Sequence, residues 1–562
     1  MPRLLTRGVL GASLLIALAG CSDGEPAPFG FVGFVNISGT AVYEDIGHRV
    51  EAGAASFDWA STTEVPIRSC VVEAAINGAV FASVRTAEDG SFSLQVPADN
   101  QVLLRVVSVL RTADGDDYAE VSGATDNGRQ RYSIGQNLTV ASSNLNTRLV
   151  ARHDSSAATY TPQHGAGAFA ILDVVEQCRR GIAAVSDGDA ALPSLEIHWE
   201  SAITSSSYDI GLRILEIAGN ASDPDEYDRA VIAHEWSHYF LNSVSADSSR
   251  GGSHPLGALL DETVAYSEGM ATALGLSLLG DSLYIDANTS VDGAGLVYDV
   301  EADRWGPGQG TERLGDGAVI PIDGPHSEAS VHQTVWDLID PVDANDADDQ
   351  VALGLAPIVD LLTADTFDDT VYPITIFHFL QRLRSVRTAE ADLITRLAQR
   401  EKIEIPAAGA IHQDPALSYG PRYRELQVEA EEPADTDGDG RPLQTWSDLG
   451  SLANEVPNAE NIKASKLFNQ QRFVTPALDT GLYQITVTPA EGNTVVLFPP
   501  HLGLESVITS TANGTGPDEV PISVGDEASD DIASGRRLAF SVTSVQQEVS
   551  FTVAITRLDG SG

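Results

Sequence analysis

The stretch AHEWSHY, residues 233–239, contains the pattern H-E-x-x-H. In a helix, side chains four residues apart lie on one face, so His234 and His238 can direct both imidazoles at one metal ion. Glu235 follows the first histidine and is predicted to be the general base for a water that the ion activates. The pattern therefore predicts a catalytic zinc site. The alternative is a chance match, with two structural histidines on a core helix.

The residues around this pattern predict a buried helix. The segment DPD at 223–225 supplies turn and N-cap residues, and residues 227–240 contain neither glycine nor proline. Large apolar side chains within the segment favour its burial. Histidine is scarce, with 12 in 562 residues, which makes a chance match uncommon.

A third protein ligand is needed, because two histidines leave a tetrahedral zinc site incomplete. Residues 239–246 contain neither glycine nor histidine, which excludes the metzincin pattern. Glu268, in AYSEGMATALG at 265–275, lies among apolar and small residues, where a carboxylate needs a strong partner such as zinc. Asp261 and Glu262 are alternatives for this ligand.

These segments resemble a gluzincin metallopeptidase, the group that includes thermolysin and fungalysin. The combination of HEWSHYF, SRGGSH, AYSEGMATAL and GPHSEASVHQTVWDLID also resembles uncharacterised bacterial zincin-like lipoproteins, over about residues 190–420. The resemblance implies Glu235 as general base and Glu268 as third ligand. Thermolysin-like enzymes place an aspartate four residues after that glutamate, where this chain has Thr272.

Peptide hydrolysis also needs a hydrogen-bond donor for the oxyanion that develops in the transition state. Tyrosine or histidine usually serves. His326 and His332 flank the segment SEAS and are the predicted catalytic candidates, with Tyr266 and His254 as further alternatives.

Residues 1–21 are predicted to be a lipoprotein signal peptide. Arg3 and Arg7 precede an apolar stretch at 9–19 that is too short to span a membrane. The ending LAGC resembles a bacterial lipobox, which implies cleavage before Cys21 and lipidation of that residue. Because an acyl chain anchors an otherwise soluble protein, we expect a location in the bacterial cell envelope, at the outer membrane or cell surface.

The strand and helix patterns predict a multidomain α+β chain. The predicted parts are a tether at 22–33, an N-terminal β-sandwich at 34–150, a central, mainly helical zincin-like metallopeptidase domain with an edge-strand sheet at 151–428, an acidic linker at 429–445 and a C-terminal β-sandwich at 446–562. The N-terminal part, with T-x-x-D-G-x-F-x-L at 86–94, resembles the carboxypeptidase regulatory-like β-sandwich, which implies a spacer or interaction module. Cys70 and Cys178 are either disulfide-bonded or separate buried thiols.

The net charge limits the partners of the protein, and a separate acidic motif suggests a second ion. The formal charge of −47, from 80 acidic and 33 basic residues, leaves no basic excess for phosphates, so nucleic acid is not expected as a partner. Asp435, Asp437 and Asp439 match the start of a calcium loop, but Trp446 stands where a full loop ends in glutamate. Calcium binding and a hydrated acidic linker are the two interpretations.

Together these observations predict a surface-anchored, zinc-dependent endopeptidase that hydrolyses protein or peptide substrates with a metal-activated water. The alternative is a non-catalytic zincin-fold lipoprotein used for adhesion or as a scaffold. Glu235 favours the enzyme, since a structural zinc site needs no general base there. A hydrolase for a non-peptide substrate is a third hypothesis, and residues 22–150 are alternatively a propeptide.

Overall fold

The computed structural model describes residues 33–51, 54–124, 130–153, 165–186, 192–220, 223–249, 251, 260–287, 295–301, 311–313, 319–321, 324–342, 350–364, 366–367, 372–405, 423–425, 445–452, 469–489, 496–498, 518–525, 532–544 and 549–558. Several predictions concern residues outside these ranges, namely Cys21, the tether, His254, and the calcium loop at Asp435, Asp437 and Asp439. Among the described residues, no helix combines the length and the apolar character that a membrane crossing requires.

The N-terminal part is built from strands with alternating burial. In SFSLQVP, for example, Phe92, Leu94 and Val96 are buried while the residues between them are exposed or half-buried. The strands are β1 (Phe34–Glu51), β2 (Ala54–Pro66), β3 (Cys70–Ile76), β4 (Ala79–Arg85), β5 (Ser91–Pro97), β6 (Asn100–Arg111), β7 (Asp117–Ser122), β8 (Ser133–Val140) and β9 (Leu145–Ala151).

The central part alternates helices with short strands. The elements are α1 (Ala166–Val185), β10 (Leu195–Glu200), β11 (Ser207–Asp209), β12 (Ile214–Asn220), β13 (Asp223–Pro224), α2 (Arg229–Val244), α3 (Glu262–Leu279), β14 (Leu283–Asp286), β15 (Gly295–Asp299), β16 (Thr311–Arg313), β17 (Val319–Pro321), α4 (Glu328–Ile339), α5 (Leu355–Leu362), α6 (Ile376–Val386) and α7 (Ala391–Arg400). Local signals set the ends of α3: Asp261 accepts a hydrogen bond from the Thr263 amide, and Gly280 closes the helix at φ 71°.

Two sheets run through both the N-terminal and the central parts. The larger has nine strands, in the order β11-β12-β10-β7-β6-β3-β4, with β13 beside β12 and β8 beside β6. The smaller has six, in the order β14-β15-β2-β1-β5, with β9 beside β1. Strand β10 pairs in parallel with β7, and β15 pairs antiparallel with β2. Both sheets therefore continue across residue 150.

The prediction of a mainly helical central domain is wrong. Strand residues exceed helical residues in the described part of the chain, and the central strands complete sheets that begin upstream of residue 150. Helical periodicity locates each helix from neighbouring residues. It carries no information about the β7–β10 or β15–β2 pairing, because those partners lie far apart in the sequence.

One hydrophobic core joins these parts, extending from Val35 on β1 to Ile403 after α7. Cys70 on β3 and Cys178 on α1 are both buried in it as free thiols, so they do not form a disulfide. Burial raises the pKa of the Cys178 thiol to about 12, which leaves it protonated and unreactive at neutral pH.

The C-terminal part is a separate β structure. Its strands are β18 (Tyr423–Glu425), β19 (Thr445–Leu452), β20 (Asn469–Val474), β21 (Gly481–Pro489), β22 (Val496–Phe498), β23 (Asp518–Gly525), β24 (Ile532–Ala533), β25 (Ala539–Ser544) and β26 (Val549–Arg557). They form sheets of four and five strands, ordered β18-β20-β25-β22 and β19-β26-β21-β23-β24. A second core lies between these sheets, with Phe473 and Phe540 from one and Tyr483 and Phe551 from the other.

Candidate metal centre

Helices α2 and α3 approach each other closely where the predicted ligands lie. A Cβ added to Gly275 would come within 2.9 Å of the carbonyl carbon and oxygen of Ala233 and 3.0 Å of the His234 amide nitrogen. A larger residue at this position would therefore push the helices apart. The small residues around Glu268 predict this close approach, and it brings the carboxylate of α3 to the two imidazoles of α2.

The structure places the three predicted ligands together. The Nε2 atoms of His234 and His238 are 3.1 Å apart, and Oε2 of Glu268 lies 3.2 Å from the first and 3.1 Å from the second. Two ligand atoms of a tetrahedral zinc ion, each 2.0–2.1 Å from it, lie about 3.3–3.4 Å apart. The nitrogen and oxygen donors and their spacing therefore fit a zinc ion.

The charge state of Glu268 suits this role. Burial alone raises the pKa of its carboxyl group, but the interactions with His238 and the hydrogen bonds from both imidazoles outweigh burial and hold the pKa well below its usual range. The group is therefore a carboxylate at neutral pH, which is the form that binds a cation.

Outer hydrogen bonds orient both imidazoles. Nδ1 of His234 is 2.9 Å from Oγ1 of Thr272, and Nδ1 of His238 is 3.3 Å from Oγ of Ser267. The Ser267 hydroxyl donates to Oδ2 of Asp247 at 2.7 Å, so its oxygen is left to accept from the imidazole. With an ion bound, each ring would keep its proton on Nδ1 and present the lone pair of Nε2 to the metal. Thr272 thus occupies the place at which the thermolysin-like pattern has aspartate, with a neutral hydroxyl.

We expect Thr272→Val to weaken zinc binding about 10- to 100-fold, because it removes the oxygen that orients His234 while keeping the side-chain shape. Zinc affinity is measured by competition with a chromophoric chelator. Thr272→Ser keeps the hydroxyl and is expected to bind zinc as the unchanged protein does. Equal affinity in the valine variant would show that this contact does not orient the imidazole.

The two alternative ligands lie away from the centre. Asp261 is the N-cap of α3, and Glu262 is the first residue of that helix. Both approach Arg472 of β20, which lies 2.5 Å from Oε1 of Glu262 and 3.6 Å from Oδ2 of Asp261. They therefore join the start of the ligand helix to the C-terminal sheet and do not contribute to the metal position.

The metal centre opens into a cleft of about 720 Å³. The residues that line it, besides the three ligands, are Ser205, Ser206, Ser207, Tyr208, Asp209, Ile210, Glu216, Glu235, Ser249, Gly251, Ser267, Tyr284, Asp286, Leu296, Tyr298 and Glu328. Glu235 is half-buried there, next in sequence to the ligand His234. Strand β11 forms part of the wall and pairs only with β12 among the described strands.

The three predicted oxyanion donors that lie within the described ranges do not line this cleft. His326 has Nδ1 2.9 Å from the carbonyl oxygen of Leu260. His332 is buried and stacks on Tyr298 at 5.4 Å, while burial and the nearby His234 lower its pKa to about 3, so it is neutral. Tyr266 is fully buried and packs against Phe379.

Two tyrosines that the sequence analysis did not select line the cleft instead. The ring of Tyr284, on β14, stands edge-on to the His234 ring, with 6.2 Å between the ring centres. The ring of Tyr298, on β15, stacks on that of Tyr284 at 4.8 Å. The short strand LYID carries no motif, and its place beside the metal centre depends on the pairing of β15 with β2. No local signal in the sequence indicates it.

Comparison with known proteins adds little to this geometry. No family model matches the chain, and no curated protein matches it. Among solved structures, the precursor of protealysin, a metalloproteinase from Serratia proteamaculans, is similar over 50% of this chain and 84% of that chain, with 12% identity and a TM-score of 0.30. A similarity of this size establishes neither a shared fold nor a shared activity.

Proposed function

We propose that the protein is a zinc-dependent endopeptidase of gluzincin type. The observation that carries the proposal is the position of Glu235, which lines the same cleft as His234, His238 and Glu268. A zinc site that serves only to stabilise a fold is closed by its ligands and has no acid beside an open cleft. This centre offers three candidate protein ligands, an open side and a carboxylate next to it.

The edge of β11 that pairs with no described strand supports a peptide as the substrate. An extended chain can add to an exposed strand through backbone hydrogen bonds, which recognise any peptide whatever its side chains are. Strand β11 and the residues beside it, 205–210, form one wall of the cleft that holds the metal centre. A peptide lying along this edge would have its backbone carbonyl groups close to the ligands.

Each group then has a defined part in the reaction. Zinc bound at this centre would supply a Lewis acid that polarises the scissile carbonyl and lowers the pKa of a water. Glu235 takes a proton from the attacking water and passes it to the leaving nitrogen as the peptide bond breaks. His234, His238 and Glu268 hold the ion, and Thr272 and Ser267 keep the imidazoles turned towards it.

The test is cleavage of a mixed peptide library by the full chain, with new termini identified by mass spectrometry. We expect cleavage that stops when a chelator removes zinc and returns when zinc is restored. Cleavage that continues with zinc removed would exclude the mechanism. Bound zinc without cleavage of any peptide would favour the non-catalytic adhesion or scaffold protein instead.

We also propose that lipid on Cys21 holds the catalytic part at the bacterial cell envelope. The lipobox LAGC and the short apolar stretch before it support this location. Labelled palmitate should enter the wild-type protein and not a Cys21→Ala variant; labelling of both would exclude this anchor.

A further inference from the structure

One end of the N-terminal part exposes large apolar side chains. Phe34, the first residue of β1, is 63% exposed, and Val80 and Phe81 of β4 are each 49% exposed. Leu103 of β6 is exposed as well, and no other described phenylalanine side chain is. We call the surface formed by Phe34, Val80, Phe81 and Leu103 the apolar end.

The sheet register makes these four side chains one surface. Ala75 of β3 pairs with Val80 on one side and with Leu103 on the other, so these two side chains lie in one row, about 10 Å apart. Phe34 belongs to the other sheet and meets Phe81, the neighbour of Val80, with 6.3 Å between the ring centres. A contiguous apolar surface of this kind marks a contact with a partner, whereas single exposed apolar residues do not.

The segments around the apolar end contain no charged residue. Strand pairing brings together five such segments, namely 33–43, 74–84, 91–98, 100–104 and 132–147. Asp99, between two of them, is the exception. In the whole chain 20% of the residues are charged and the net charge is −47, so the overall composition does not explain this gap. An uncharged apolar surface suits a partner that is itself apolar.

The apolar end lies where the chain arrives from the predicted lipid anchor. The carbonyl oxygen of Gly33 accepts a hydrogen bond from the Ala98 amide at 2.7 Å, which fixes the chain at the start of β1. Residues 22–33 lie between Cys21 and Phe34, and a segment of this length spans at most about 40 Å. A lipid on Cys21 therefore keeps the apolar end close to the bilayer. The sequence PAPFGFV at 26–32 is also uncharged.

We propose that the apolar end rests on the lipid bilayer, with Phe34, Val80 and Phe81 inserted among the lipid headgroups. This inference rests on the proposed anchor at Cys21. The anchor holds the surface at a high local concentration beside the bilayer, so a patch of four side chains is sufficient. The contact is apolar and not electrostatic, because the surrounding segments contain no lysine or arginine to bind anionic lipids.

This contact would also orient the metal centre. Strand β1 runs from Phe34 towards α2, and Nε2 of His48 on β1 is 2.9 Å from Oδ1 of Asp228, the N-cap of α2. At 3.3 Å per residue, the strand separates Phe34 from His48 by up to about 45 Å. With the apolar end on the bilayer, β1 holds the cleft away from the lipid surface, where it meets polypeptides that are not themselves in the membrane.

The test uses the full lipidated protein in vesicles of phosphatidylcholine and phosphatidylethanolamine. A Phe81→Cys variant is labelled with a fluorophore whose emission depends on the polarity of its surroundings. Cys70 and Cys178 are buried thiols and Cys21 carries the lipid, so the label goes to position 81. We expect its emission to shift to the blue and to be quenched by lipids that carry a doxyl group.

Leu212→Cys, labelled in the same way, is the matched control. Leu212 is exposed in the turn between β11 and β12, on the side of the cleft. Its emission should stay that of a label in water, without quenching by doxyl lipids. Equal quenching at positions 81 and 212 would show that the chain has no fixed orientation on the bilayer and would overturn the proposal.

Flotation of the same samples with the vesicles separates the surface from the anchor. Protein that floats while its label at position 81 stays in water keeps the anchor and overturns the surface. Protein that does not float rejects both. A blue shift without quenching by doxyl lipids would show that protein, such as a second copy, covers the surface, which also overturns the proposal. If Phe81→Cys does not fold, labelled Phe34→Cys is judged by the same outcomes.

Discussion

Replacement of Glu235 by glutamine is expected to reduce peptide cleavage about 10²- to 10⁴-fold, the usual contribution of a positioned general base. Glutamine has the same shape but cannot accept the proton of the attacking water at neutral pH. The zinc content should stay at the value of the unchanged protein, because Glu235 is not one of the three ligand residues. The measurement combines initial rates on a peptide selected from the library with metal analysis of the same sample.

Glu216→Gln is the matched control for this variant. Glu216 lies on β12 and also lines the cleft, but it is outside the metal centre. Its replacement changes the charge of the cleft by the same amount, so we expect kcat to remain close to that of the unchanged protein. Equal losses of kcat in both variants would show that cleft charge, and not proton transfer by Glu235, supports the reaction.

Replacement of Glu268 by glutamine is expected to release zinc. The change removes the anionic ligand and leaves two imidazoles, which do not complete a tetrahedral site. Loss of an outer contact already weakens metal binding about 10- to 100-fold, and loss of a direct ligand should weaken it further. Zinc per chain after dialysis is the measurement, and activity should fall together with it.

The Glu262→Gln variant tests whether Glu262 or Glu268 is the third zinc ligand. Glu262 precedes Glu268 on α3 and pairs with Arg472, so its replacement should leave zinc bound while weakening the contact with the C-terminal sheet. The opposite result, with zinc lost from Glu262→Gln and kept by Glu268→Gln, would contradict the ligand assignment.

The grouping of His234, His238 and Glu268 could be predicted from the sequence because its signals are local. His234 and His238 are related by the repeat of one helix, and Glu268 is conspicuous as an acid among small residues of another. Gly275 and its small neighbours even indicate that the two helices touch. The position of Thr272 in the thermolysin-like pattern also indicated an altered partner for His234, although not that its hydroxyl lies within 2.9 Å.

The residues that form the walls of the cleft could not be predicted from local sequence signals. Tyr284 and Tyr298 are held beside the metal centre through the pairing of β14 with β15 and of β15 with β2, whose residues are distant in the sequence. His332 was selected as an oxyanion donor from its sequence context, and it is buried and does not line the cleft. It lies in α4, in which every residue is buried, so helical periodicity cannot tell which face meets the cleft.

The two sheets that contain strands from both the N-terminal and the central parts also affect how the chain folds. Gly295 of β15 pairs with Ala55 of β2, and Leu195 of β10 pairs with Ala119 of β7. Contacts between residues so distant in sequence slow folding, because the entropy of closing a long loop is lost before the contact forms. During synthesis, β2 lacks this partner until residue 295 has left the ribosome. The open edge of β2 can meanwhile pair with other chains. The cleft wall that carries Tyr298 is therefore completed late in folding.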